Sequence, residues 1–116
     1  MPGVHTPMVR RPSMYMRVTK GHVKPGCWDR YEAAYRHYVE GRPPSAGLLG
    51  RWLLRAHNDP ELGFSLSLWE TQEAMEAYER SDAVRREILP QLAPYLESDF
   101  VAHHCIVKVH ASDHHR

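Results

Sequence analysis

The chain has no excess of charge of either sign. Its 15 lysines and arginines stand against 14 aspartates and glutamates, a formal net charge of +1. The two signs are interspersed rather than gathered into a basic stripe, which argues against nucleic acid or a membrane surface as a partner. Cysteine is scarce: Cys27 and Cys105 are the two in 116 residues, with no short spacing between them. Neither a zinc framework nor a disulfide scaffold is expected, and a reducing cytoplasm is the expected location. No apolar run reaches membrane-spanning length, and the opening MPGVHTPMVRRPSM puts prolines and arginines where a signal peptide needs a continuous apolar core. Nine histidines are present, but His103-His104 and His114-His115 are adjacent pairs. Neighbours on a strand point to opposite faces, and no carboxylate is spaced to help, so no metal site is expected.

What is present is the composition of one globular domain, 42% apolar and 25% charged, with enough chain for one core and too little for two. Residues 1–13 hold three prolines and read as an N-terminal arm, 14–110 as the domain, and 111–116 as a tail. Met14 to about Val23 alternates as a first strand. KPGCWDRYEAAYRHYVEG puts Trp28, Tyr31, Tyr35 and Tyr38 at steps of three and four, an aromatic stripe on a helix that Gly41 ends. AGLLGRWLLRAH and LGFSLSLW read as two strands joined through the turn residues NDPE. Thr71 then caps a helix carrying Ala74, Met75 and Tyr78, a further helical segment is interrupted at Pro90 and Pro94, and DFVAHHCIVKVH closes as a fourth strand.

Strand, helix, strand, strand, helix, strand is the order of the split βαβ, ferredoxin-like α+β fold, a four-stranded antiparallel sheet with helices on one face. The sheet nevertheless carries large apolar groups on both faces. In the third strand Leu62, Phe64, Leu66 and Leu68 form one side, while Gly63, Ser65, Ser67 and Trp69 form the other. One chain has too few helices to cover both, so the leucine-rich face is expected to meet its copy in a homodimer. The small Ser65 and Ser67 cannot fill the space beneath the aromatic stripe, so a void that suits a flat hydrophobic ligand is expected there. The competing reading is that the stripe collapses onto the serines and leaves no pocket.

The tracts GFSLSLWETQEAMEAYERSDAVRREI and VTKGHVKPGCWDRYEAAY, with the closing strand, resemble the antibiotic biosynthesis monooxygenase family of dimeric α+β barrels over residues 14–110. The resemblance implies a homodimer with sheets face to face and a ligand cleft between sheet and helices in each subunit. It also implies an oxygenase without cofactor, acting with O2 on a small aromatic such as a quinol, a phenol or a polyketide-type compound. In cofactor-free members the tryptophan before the Glu-Thr pair lines the site and an arginine on the later helix assists, which maps to Trp69 and Arg86. Ser65 falls where such members can carry an asparagine, and Met75 where they can carry a tyrosine. In the haem-degrading branch the expected histidine falls near Ile88 and the expected asparagine near Thr19, so haem chemistry is not expected here.

An oxygenase of this kind must bind an electron-rich phenol, remove its proton and hold the anion beside oxygen. His103, on a face of the fourth strand with Cys105 and Val107, is the expected base. Arg86 is expected to stabilise the phenolate, with Tyr31, Tyr35 or Tyr78 donating hydrogen bonds. The alternative function is a non-catalytic homodimer that binds a small hydrophobic metabolite in the same cleft.

Overall fold

Residues 13–97 and 100–111 are described by a computed structural model. The arm and the tail therefore lie outside the described residues, except for Ser13 and Ala111, as does the His114-His115 pair. Four alternating segments form strands: β1 (Tyr15–His22), β2 (Leu48–Arg55), β3 (Leu62–Trp69) and β4 (Val101–Ile106). They pair antiparallel in the order β2-β3-β1-β4, with α-helices α1 (Trp28–Glu40), α2 (Gln72–Arg80) and α3 (Leu89–Leu92) between them in the chain. This is the ferredoxin-like α+β arrangement. The β2-β3 hairpin closes with the Leu62 amide donating to the Asp59 carbonyl at 3.0 Å. The closing strand is shorter than its apolar pattern suggests: its ladder with β1 ends at Ile106, after which the Val107 amide still donates to the Met14 carbonyl at 2.9 Å.

The register sorts the side chains. Arg51, Ser67, Arg17 and His104 lie in one row across the sheet, with Leu53, Ser65, Thr19 and Ala102 in the next. Side chains alternate between faces along a strand, so Trp52, Leu66, Val18 and His103 form a row on the other face. The first face lies under the helices. There Trp69 is 0% exposed, and the α1 stripe of Trp28, Tyr31, Tyr35 and Tyr38 is buried against Val84, Ile88 and Leu92. Gly63 admits the indole of Trp28, since a Cβ at that position would lie 2.9 Å from Cζ2 of the ring. The second face has no helix over it among the described residues. Leu62, Phe64, Leu66 and Leu68 are only half-buried there, and Trp52, Leu54 and Val101 are 45%, 42% and 55% exposed.

Thr71 caps α2 as its sequence position implies, its Oγ1 accepting the Ala74 amide at 3.0 Å. Thr71→Ala is expected to cost about 1 kcal/mol of stability, read from the urea midpoint at fixed protein concentration. After α2 the chain winds through a π-helical turn, Ala83–Ile88, then α3, then a 3₁₀ turn, Ala93–Tyr95. Pro90 and Pro94 divide this segment as the sequence suggests: each sits in the first turn of a new short helix, the place in a helix where proline is tolerated. Among the described residues no helix is long and apolar enough to cross a membrane.

Candidate functional site

Between the sheet and the helices lies a cleft of about 70 Å³, partly open to solvent. Its floor is polar because the inward positions of three strands are Arg51, Ser65, Ser67, Arg17 and Thr19. Its roof is aromatic because steps of three and four on α1 bring Tyr31, Tyr35 and Tyr38 to the sheet, with Tyr78 arriving from α2. Pockets that hold drug-sized ligands measure roughly 300–1,000 Å³. The tyrosines therefore fill most of the expected void without closing it. The room left suits a single ring, and a larger guest requires a roof side chain to swing. The Tyr35 hydroxyl reaches the floor only through a long contact, 3.5 Å from Ser65 Oγ.

Two guanidinium groups stand in the row that crosses the floor, and they are held differently. Arg17 donates from Nε to Glu79 Oε2 at 2.7 Å and from Nη1 to Thr19 Oγ1 at 2.9 Å. The same carboxylate oxygen lies 3.0 Å from His104 Nε2. Burial alone would raise the Glu79 pKa, but the hydrogen bonds from Arg17 and then His104 outweigh it and hold it below the usual carboxylate value. Arg51 donates from Nη1 to the Tyr38 and Tyr78 hydroxyls at 2.9 and 3.2 Å, and those hydroxyls bond to each other. Its guanidinium also lies 4.7 Å from the Tyr78 ring centre and 5.5 Å from that of Tyr38. Burial, the largest influence on Arg51, opposes its charge, yet the tyrosine oxygens outweigh it and the pKa is raised.

Burial pushes the Tyr31 phenol up to about 12, with Tyr35 adding to the effect. Tyr38 is raised further still, by burial and then by Tyr78, against the opposing pull of Arg51. Both phenols therefore stay protonated at neutral pH and serve as hydrogen-bond donors. Trp69 donates from Nε1 to Ser67 Oγ at 2.8 Å and packs its ring 5.1 Å from that of Tyr78.

All five residues expected to bind a ligand, Ser65, Ser67, Tyr31, Tyr35 and Tyr78, line the cleft. The three expected to act catalytically do not. Trp69 is wholly buried behind Tyr78 and supports the wall without forming its surface. Arg86 is exposed on the π-helical turn and does not line the cleft. His103 pairs in register with Val18 on the open face, so the sheet itself separates it from the cleft of its own chain, and the base role expected of it has no place there. Sequence reasoning missed Arg51, Arg17, Tyr38 and Thr19. Tyr38 was visible in the stripe, and Arg17 and Thr19 share a side of the first strand. Arg51 was hidden because β2 carries large residues on both faces. Among the described residues no cluster of His, Cys, Asp or Glu could hold a metal ion.

The sequence model of the antibiotic biosynthesis monooxygenase family matches residues 14–87. A comparison with curated protein sequences finds no match. Solved structures share the fold. A conserved protein from Methanosarcina mazei is 20% identical with a TM-score of 0.71, covering 81% of this chain and 92% of its own. A Bordetella bronchiseptica protein described as an antibiotic biosynthesis monooxygenase is 21% identical with a TM-score of 0.70, covering 79% and 94%. The haem degrader MhuD of Mycobacterium tuberculosis, solved with two haems in its active site, is 21% identical with a TM-score of 0.71, covering 84% and 99%.

Proposed function

The chain belongs to the antibiotic biosynthesis monooxygenase family, and from that premise we propose that it is a cofactor-independent oxygenase that oxidises a small aromatic phenol or quinol with O2. The observation that carries this reading is the cleft, where an aromatic roof of Tyr31, Tyr35 and Tyr78 faces the hydroxyls of Ser65 and Ser67 across room for one ring. A flat ring packs against the tyrosines while its oxygen meets hydroxyl and guanidinium donors. Those donors favour the ionised phenol, whose proton leaves to water at the open side of the cleft. The phenolate then supplies the electrons: a phenol and O2 give a quinone and water, one oxygen atom entering the ring and the other leaving as H2O. The protein holds the anion, orients it and limits its exposure to solvent.

Haem does not fit these residues. Among the described lining residues there is no histidine or cysteine, and Ile88 and Thr19 present no iron ligand. The buried phenols of Tyr31 and Tyr38 resist the ionisation that a tyrosinate ligand needs.

Purified protein in an oxygen electrode is expected to take up oxygen with at least one of a panel of naphthols, anthrones and quinols. Tyr78→Phe is expected to lower the rate about tenfold through loss of one donor. Binding of such compounds without turnover would replace this reading with a second, a non-catalytic homodimer that holds a small hydrophobic metabolite. One observation favours that alternative: among the described lining residues none is a carboxylate or an imidazole that could act as a base. Both readings include a homodimer joined through the open sheet face, and both place the protein in the cytoplasm, where the free Cys27 and Cys105 stay reduced.

A further inference from the structure

Arg51 is a half-buried cation with no carboxylate partner among the described residues. Four other arginines have a carboxylate, Arg17 with Glu79, Arg36 with Glu32, Arg42 with Glu87 and Arg80 with Glu76, while Arg30, Arg85 and Arg86, which have none among the described residues, are exposed to water. The exposed Arg55 takes the Pro60 carbonyl. Among the described residues Arg51 has only two neutral phenol oxygens, both taken by Nη1, while Nε and Nη2 make no hydrogen bond to protein. Charges taken out of water are ordinarily paired, because an unpaired one loses hydration without compensation. A guanidinium presents its donors in a planar fork that matches two oxygens of one anionic group.

The position of Arg51 suits such a guest. It stands in the wall shared by the cleft and a neighbouring surface groove lined by Arg42, Pro43, Pro44, Leu48 and Ser81, so an anionic group on its flank can be reached from solvent. Ser67 separates it from Arg17 in the same row. Arg17 is already neutralised by Glu79, which leaves the excess positive charge of the floor at the Arg51 end.

We propose that Arg51 docks an anionic oxygen of the guest, so that the cleft selects aromatic acids, with the carboxylate on the guanidinium and the ring between the serines and the tyrosine roof. This deepens the functional reading above and rests on its assignment of the cleft as a ligand site, but not on its oxygen chemistry. The test compares benzoate and 2-naphthoate, each against its neutral amide, by isothermal titration of the full chain at neutral pH. Neither acid carries a phenol to oxidise, so failure to consume oxygen would remove the oxygenase reading and leave this one standing.

Each acid is expected to bind at least about tenfold tighter than its amide, as a charge-assisted hydrogen bond implies. Arg51→Met is expected to bring the two within about twofold, and Arg51→Lys, a point charge without the planar fork, to keep only part of the preference. Equal affinity of acid and amide for the unmodified protein overturns the proposal, as does failure of all four compounds to bind at millimolar concentration. A preference that survives Arg51→Met overturns it too. If that variant does not fold, the acid and amide comparison on the unmodified chain decides alone.

Discussion

Phe64→Asp is expected to convert the protein from dimers to folded single chains at micromolar concentration. Phe64 lies in register between Leu54 of β2 and Lys20 of β1, in the middle of the sheet face that carries no helix. Around it Leu62, Leu66 and Leu68 are half-buried, and Trp52 and Leu54 remain exposed. Each such side chain gains roughly 1.5–3 kcal/mol on complete burial, enough in sum to offset the cost of association. An isologous contact repeats every substitution, so one aspartate places two carboxylates in the seam, each with a desolvation cost of several kcal/mol. A weakening of at least about 4 kcal/mol, roughly a thousandfold in Kd, is expected. Sedimentation velocity over a concentration series reads it directly, and far-ultraviolet circular dichroism confirms that the chain remains folded. An unmodified protein that sediments as single chains, or a variant that stays dimeric, would remove the open face as an interface.

Trp69→Ala is expected to give the largest loss of stability of any single side-chain truncation near the cleft. The indole is 0% exposed, its Nε1 satisfies Ser67 Oγ at 2.8 Å, and its ring lies 5.1 Å from that of Tyr78. Truncating a buried aromatic to alanine costs about 3–5 kcal/mol through lost transfer energy and the cavity left behind. That is a large part of the 5–15 kcal/mol typical of a domain. Trp69→Phe keeps most of the volume and loses the hydrogen bond, for an expected 1–3 kcal/mol, about the cost of leaving a buried hydroxyl unpaired. Urea unfolding at one fixed protein concentration separates the two, since the proposed dimer would make midpoints concentration-dependent. A loss below about 1 kcal/mol for Trp69→Ala would contradict its place in the core. Because Trp69 acts through Tyr78 rather than on a guest, Trp69→Phe should weaken ligand binding less than Tyr78→Phe does.

The change of rhythm within FSLSLWETQEAMEAY locates the end of β3 and the start of α2, because a twofold period and a period of three to four are local properties of the chain. The same holds for the aromatic stripe of α1, for the cap at Thr71, and for the presence of two apolar sheet faces. That Ser65 and Ser67 lie in the cleft beneath Tyr31 and Tyr35 followed from those periods, since small side chains beneath a row of large ones leave space wherever the fold brings them together. His103 and Arg51 were different. Alternation along β4 states that His103 and His104 point opposite ways, but not which of them looks toward the helices. That depends on pairing with β1, where His104 falls opposite Arg17 and His103 opposite Val18. In β2, leucines and Trp52 on both sides conceal an inward-pointing arginine until Arg51 is set beside Ser67. Periodicity is written in neighbouring residues, whereas the sidedness of a strand and the partners of a charge arise from contacts between residues dozens of positions apart, and those exist only once the sheet has assembled.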